Sequence, residues 1–270
     1  MLRGRSVTGI ALGLVVVNLI ACAPRRPAPP PGPPPLPPLR VAVPQDTPPY
    51  AFSRERQLVG LEVDFARELA ASLHRPLELV EVEWGDVLQS LLGGNTDVIM
   101  AGMTITPARQ VAIAFSDPYL RSGLLAVVRR EDAGRYRTPN AAFATRGAIG
   151  VVSGTTGERF VREQVPRAEI NVYPTAPAAM LELRQRRVDV VVHDAPVGIW
   201  FVSRDEANLA AVLKLLDEEQ LGWGMRRDDG ALRAEVNATL ARWRTDGTRE
   251  RILARWLPYW QRLEGARPAP

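Results

Sequence analysis

Residues 97–119 read DVIMAGMTITPARQVAIAFSDPY. The stretch opens as an apolar strand, Val98-Ile99-Met100-Ala101. It turns through a small, hydroxyl-bearing loop, Gly102-Met103-Thr104-Ile105-Thr106. Pro107 then suits the first turn of a helix, where its missing N–H costs nothing. Arg109 sits just inside that turn, although a helix N-terminus favours negative charge. Two explanations are open: a solvated arginine on a surface helix, or an arginine that shares an anion with the free backbone N–H groups.

The chain has 270 residues, 46% of them apolar, and a formal charge of +4. That length supports a sizeable core and one or two domains. The charge is spread along the sequence, and no basic run is interleaved with aromatics, so a nucleic-acid partner is not expected. Cys22 is the single cysteine and the two histidines, His74 and His193, lie far apart. An intrachain disulfide is impossible, and no metal-ligand spacing appears; no metal and no cofactor are expected. No Gly-x-Ser-x-Gly elbow is present.

Residues 1–21 read as a secretory signal: Arg3 and Arg5, then an apolar core over 7–20 that is short for a membrane span. The segment ends in Leu19-Ile20-Ala21-Cys22, which resembles a bacterial lipobox. That resemblance implies lipidation of Cys22 and a membrane anchor; an ordinary cleavage site is the alternative. Cleavage after residue 21 lowers the formal charge from +4 to +2. Residues 24–38, PRRPAPPPGPPPLPP, hold ten prolines. Such a run cannot pack a core; at about 3.1 Å per residue in polyproline II it makes a stalk of roughly 45 Å. Residues 22–38 are therefore read as a lipidated N-terminus and stalk, and residues 263–270 as a flexible tail.

From residue 39 strands and helices alternate. Strands are expected at 39–43, 77–82, 98–101, 123–129, 149–152, 170–173, 188–192, 212–216 and 222–226. Helices are expected at 63–73, after Asp86 as N-cap, at 158–165, 177–185, 196–203, 232–246 and 248–257. The alternation predicts largely parallel α/β sheets. Two such units, each with a polar loop after a strand, predict two lobes with the ligand site in the cleft between them.

Several motifs occur in an order that resembles the family 3 extracytoplasmic solute-binding proteins, the receptors of amino-acid ABC importers. They are Gly60-Leu61-Glu62-Val63-Asp64-Phe65, Met103-Thr104-Ile105-Thr106 with Arg109, Phe115-Ser116-Asp117-Pro118-Tyr119, Ser153-Gly154-Thr155-Thr156, the run from Asp189 to Asp194, and Asp246-Gly247-Thr248 with Ile252 and Trp256. The resemblance implies an α/β, two-lobed periplasmic-binding-protein-like fold (a Venus flytrap) with two hinge crossings. Lobe 1 would comprise 39–122 and 222–262, and lobe 2 residues 123–221. It implies that Arg109 clamps a ligand α-carboxylate, aided by Thr104, backbone groups at Ala101 and Gly102, and Thr156 from the opposite lobe. Asp194 would accept the α-ammonium; its alternative is a helix N-cap before Pro196. Trp84 would wall the ligand side chain, or else pack in the core. Tyr50 stands in a Pro-aromatic pair with Pro49, and the expected upstream aromatic falls on Thr47, which leaves one ligand wall undefined. Ala101 and Gly102 replace serines common in the family. Trp200 and Trp223 are read as structural.

The function implied is a monomeric, lipid-anchored receptor in the bacterial cell envelope that passes an amino acid to ABC permease subunits, without enzymatic activity. Two alternatives remain: a periplasmic cyclohexadienyl dehydratase, which would need a general acid such as Glu62, Asp46 or His193, and a sensor that signals rather than transports.

Overall fold

A computed structural model describes residues 36–259. The signal segment, Cys22, most of the stalk and the tail lie outside the described residues.

In chain order the elements are β1 (Leu39–Val43), the short strands β2 (Asp46–Thr47), β3 (Ala51–Arg54) and β4 (Gln57–Val59), α1 (Leu61–Ser72), β5 (Leu77–Glu81), a 3-10 turn (Trp84–Asp86), α2 (Val87–Leu92), β6 (Val98–Ile99), α3 (Pro107–Ala112) and β7 (Ala114–Phe115). Then come β8 (Leu120–Arg129), α4 (Pro139–Phe143), β9 (Ile149–Val152), α5 (Thr156–Gln164), β10 (Ile170–Tyr173), α6 (Ala176–Arg184), β11 (Val190–Asp194), α7 (Ala195–Arg204) and β12 (Leu209–Leu221). The chain closes with β13 (Gly224–Met225), α8 (Gly230–Asp246) and α9 (Thr248–Trp256).

Two five-stranded sheets form two lobes, with orders β5-β1-β6-β13-β7 and β10-β9-β11-β8-β12. The chain leaves the first sheet through β8 and returns through β12. These two crossings pair antiparallel, with a register shift between Val212 and Asp217. The sheets are mixed rather than largely parallel, because β13 runs antiparallel to β6 and β7, and β8 antiparallel to β11. The strand expected at 212–216 is the middle of a 13-residue crossing. Its charged end, Asp217-Glu218-Glu219-Gln220, lacks the apolar alternation by which strands are recognised. The small sheet of β2, β3 and β4 has no counterpart in the sequence pattern.

The sheet of the first lobe is buried on both faces, as a sheet between helices must be. Leu39, Val41 and Val43 of β1 join the core under α1, α8 and α9, while Ala42 joins a second cluster with Val87 and Leu91 of α2. Phe65, Tyr119, Trp223 and Trp243 pack as one aromatic group; Tyr119 and Trp223 stack at 5.2 Å. Helix starts follow the local chemistry. Thr106, Thr155 and Thr175 each accept a bond from the backbone N–H three residues on, and proline follows in the first turn of α3 and α6. Gly247, at φ 77°, ends α8 in the left-handed conformation that glycine enters without strain. Asp86 does not cap α2: its side chain makes no cap bond, because the 3-10 turn continues directly into the helix.

Candidate functional site

A cavity of about 290 Å³ lies between the lobes. Its lining includes Ala101, Gly102, Thr104 and Arg109 from the first lobe and Thr155, Thr156, His193 and Asp194 from the second. The strand-to-helix loops after β6, β9 and β11 supply these residues. This is the position expected at the carboxyl ends of strands in open α/β sheets.

Arg109 is anchored rather than solvated. Its backbone N–H donates to Thr106 Oγ1 at 3.2 Å, which caps α3. Its guanidinium donates to the Thr104 carbonyl at 2.9 Å and across the cleft to the Gly154 carbonyl at 3.2 Å. It also lies over the Trp84 ring, 5.3 Å from the centroid. A guanidinium carries five N–H donors, so donors remain for a bound anion. Trp84 lines the cavity and also packs against the Ala42 cluster.

Asp194 ends β11 and begins α7, yet its side chain makes no cap bond. The carboxylate is buried and lines the cavity. Burial raises its pKa well above the usual carboxylate range, with the Arg109 charge pulling it back. The Asp194 backbone N–H donates to His193 Nδ1 at 2.7 Å. Burial lowers the His193 pKa to about 4, so the ring is neutral at pH 7. Arg109 and Asp194 thus place one fixed cation and one carboxyl group in the same cavity, from different lobes. Thr104 and Thr156 are buried in its lining.

The floor departs from the sequence reading at two positions. The Gly102 N–H is not available to a ligand: it donates to Glu62 Oε1 at 2.7 Å. Glu62 is fully buried, receives the Tyr119 hydroxyl at 2.5 Å and Trp223 Nε1 at 2.9 Å, and is raised to about 7 by burial despite these donors. It is a buttress beneath the floor and does not line the cavity. Tyr50 is the second correction. It is fully buried and absent from the lining; its ring packs under Gly102. The turn through Pro48 and Pro49 sends residue 50 into the core and leaves Gln45, Asp46 and Thr47 at the cavity.

Reading the sequence missed Glu83, Pro174 and Thr175 in the lining, and Glu219 behind it. Glu83 directly precedes Trp84, which was singled out, so proximity could have found it. Nothing in the local pattern marks Glu219.

Residues 39–259 match the family described as bacterial extracellular solute-binding proteins, family 3. The chain belongs to this family. Among its relatives is the L-cystine-binding protein TcyJ of Escherichia coli (strain K12), 28% identical over 210 residues, which span 77% of this chain and 78% of TcyJ. The ABC transporter arginine-binding protein 1 of the same strain is 26% identical over 78% of this chain and 87% of its own. A solved structure of similar fold is the ancestral amino acid-binding protein AncCDT-1, a precursor of cyclohexadienyl dehydratase. Its TM-score is 0.76 at 30% identity, covering 81% of this chain and 94% of that one.

Proposed function

We propose that this solute-binding protein captures an α-amino acid in the interlobe cavity and delivers it to an ABC permease. The observation that carries the reading is that Arg109 and Asp194 line one cavity from opposite lobes. A guanidinium with spare donors suits an α-carboxylate. A buried carboxylate released from helix capping suits an α-ammonium. Because the two come from opposite lobes, a zwitterion binds both only when the cleft is closed, so its binding favours closure through contacts absent from the open form. Asp46 and Glu83 line the same cavity with Trp84. They favour a ligand whose far end is positively charged, and L-arginine is the first to test. Relatives named for arginine and cystine support an amino-acid ligand. In this reading residues 1–21 are a signal peptide, and Cys22 anchors a single copy of the protein to the envelope through the proline-rich stalk.

The test is calorimetry with L-arginine on wild type and Arg109→Ala. Hydrogen bonds to a charged group contribute roughly 1.5–3 kcal/mol each, so losing a two-bond clamp weakens binding by about a hundredfold or more. Unchanged affinity in Arg109→Ala removes the carboxylate clamp.

A second reading is dehydratase chemistry, which the kinship to AncCDT-1 favours. Its acid would be Asp194, the buried carboxyl in the cavity with a raised pKa, rather than Glu62, which is sealed below the floor. Incubation with prephenate and an ultraviolet scan for the aromatic product distinguishes the two.

A further inference from the structure

Along the paired hinge strands, Ser122 of β8 lies opposite Glu219 of β12. Both side chains are buried, and Tyr50 approaches Ser122 there. Among the described residues, five buried side-chain polar atoms have no hydrogen-bond partner. Four of them are Tyr50 Oη, Ser122 Oγ and the two Glu219 carboxyl oxygens. Such a concentration in one cluster needs an explanation, because a buried carboxylate without donors costs several kcal/mol.

The surroundings of Glu219 supply one. The hydroxyls of Thr156 and Thr104 face it, without reaching hydrogen-bond geometry. These are the two threonines that line the ligand cavity from opposite lobes. Asp194 on β11 and Asp217 on its own strand repel its charge, and Arg109 on α3 attracts it. Arg121 and Arg159 share with it the lining of a second cavity. Glu219 therefore stands one layer behind the cavity, beside the two threonines that line it.

A threonine hydroxyl has one proton to donate. If Glu219 is ionised, it draws the protons of Thr104 and Thr156 towards itself. Their oxygens then present lone pairs to the cavity, the wrong sign for an α-carboxylate. If Glu219 is neutral, both hydroxyls can donate to the ligand, and the repulsion between two carboxylates disappears. We propose that Glu219 is a positioning residue of the ligand site that carries a proton whenever an α-carboxylate is bound. The inference rests on the amino-acid reading above and adds a proton to it.

Binding a zwitterion would then sort the two buried carboxyls: Asp194 ionised beside the ammonium, Glu219 neutral behind the carboxylate. The proton balance follows. At high pH, where both carboxyls are ionised in the empty protein, binding takes one proton from the buffer onto Glu219. At low pH, where both are neutral, binding releases one proton from Asp194. Burial raises both groups above the usual carboxylate range, which brings this crossover towards neutral pH.

The experiment is titration calorimetry with L-arginine at pH 6 and pH 8, each in two buffers of different ionisation heat, on wild type and Glu219→Gln. The wild type takes up more protons at pH 8 than Glu219→Gln, by up to one per L-arginine. Its affinity falls by up to about tenfold per pH unit on the alkaline side. The affinity of Glu219→Gln, a permanently neutral isostere, loses this dependence. A second measurement needs no amino acid: the melting temperature of the unliganded proteins. Glu219 has a folded pKa above its unfolded one, so its stabilising contribution is full below the usual carboxyl range and is lost as pH rises through the folded value. Glu219→Gln therefore melts higher than wild type at pH 8, and the gap closes towards pH 4. Equal proton uptake by the two proteins overturns the proposal, as does folded Glu219→Gln that fails to bind L-arginine at either pH. Wild type that shows the melting pattern but no heat with L-arginine overturns the arginine reading instead, while the buried proton stands.

Discussion

Replacing Gly102 by alanine tests the architecture of the cavity floor. Gly102 has φ 64°, where an L-residue with a Cβ is strained by roughly 1–2 kcal/mol. A Cβ there would also run into Tyr50 Cε2 and lie 2.5 Å from Cδ2. The Tyr50 ring has no room to withdraw: it is fully buried, in the same core as Phe65 and Tyr119. Overpacking a filled core costs about 1–3 kcal/mol, so the two effects together reach about 2–5 kcal/mol. For a domain of this size a kilocalorie shifts the melting temperature by about 2–4 °C, which predicts a drop of roughly 4–20 °C by calorimetry. The clash can be separated from the backbone strain with Tyr50→Leu, which removes the ring. In the double-mutant cycle Gly102→Ala costs less in the Tyr50→Leu background than with the tyrosine in place, by about the overpacking energy. Additive effects, or a drop below about 2 °C for Gly102→Ala alone, would falsify the view that Tyr50 is a packed support and not a ligand wall.

Two further predictions concern single carboxylates. Asp194→Asn keeps the shape and removes the acceptor charge; L-arginine should bind about thirtyfold to several thousandfold more weakly, the range found when one partner of a buried charge pair is lost, and unchanged calorimetric affinity refutes its role. Asp97 is linked to Arg40 at 2.7 Å and to Arg226 at 3.2 Å; burial works to raise its pKa, but the Arg40 and Arg226 bonds outweigh it and the net shift is downward. Its contribution is therefore present above the ordinary aspartate pKa and lost as pH falls through the lower folded value. Asp97→Asn should lower the melting temperature at pH 7, with the deficit shrinking towards pH 3; a constant deficit excludes the ion pairs as its cause.

Much of the first lobe was legible because its signals are local. Thr106-Pro107 announces a helix start whatever surrounds it, and the apolar alternation of β1 records which residues face each neighbouring layer. The family motifs around Arg109, Thr156 and Asp194 converge on one cavity for the same reason: each loop follows a strand whose pattern is plain. Glu219 was illegible, since its neighbours Asp217 and Glu218 are exposed and it alone turns inward.

The sequence by itself determined the two-lobed α/β class, the family and the three loops that meet at the cleft. Tertiary structure alone decided which groups meet there and what each is bonded to. The local stretch alone left Arg109 open between a surface charge and an anion site; in the fold its guanidinium reaches the Gly154 carbonyl of the other lobe. For Asp194 the helix N-cap stood as the alternative to ligand binding, and its side chain makes no cap bond. The Gly102 N–H, expected to serve a ligand, donates instead to Glu62, forty residues away in the chain. Such assignments depend on which donors and acceptors meet in three dimensions, and on how much water is excluded when they do; a local pattern carries neither.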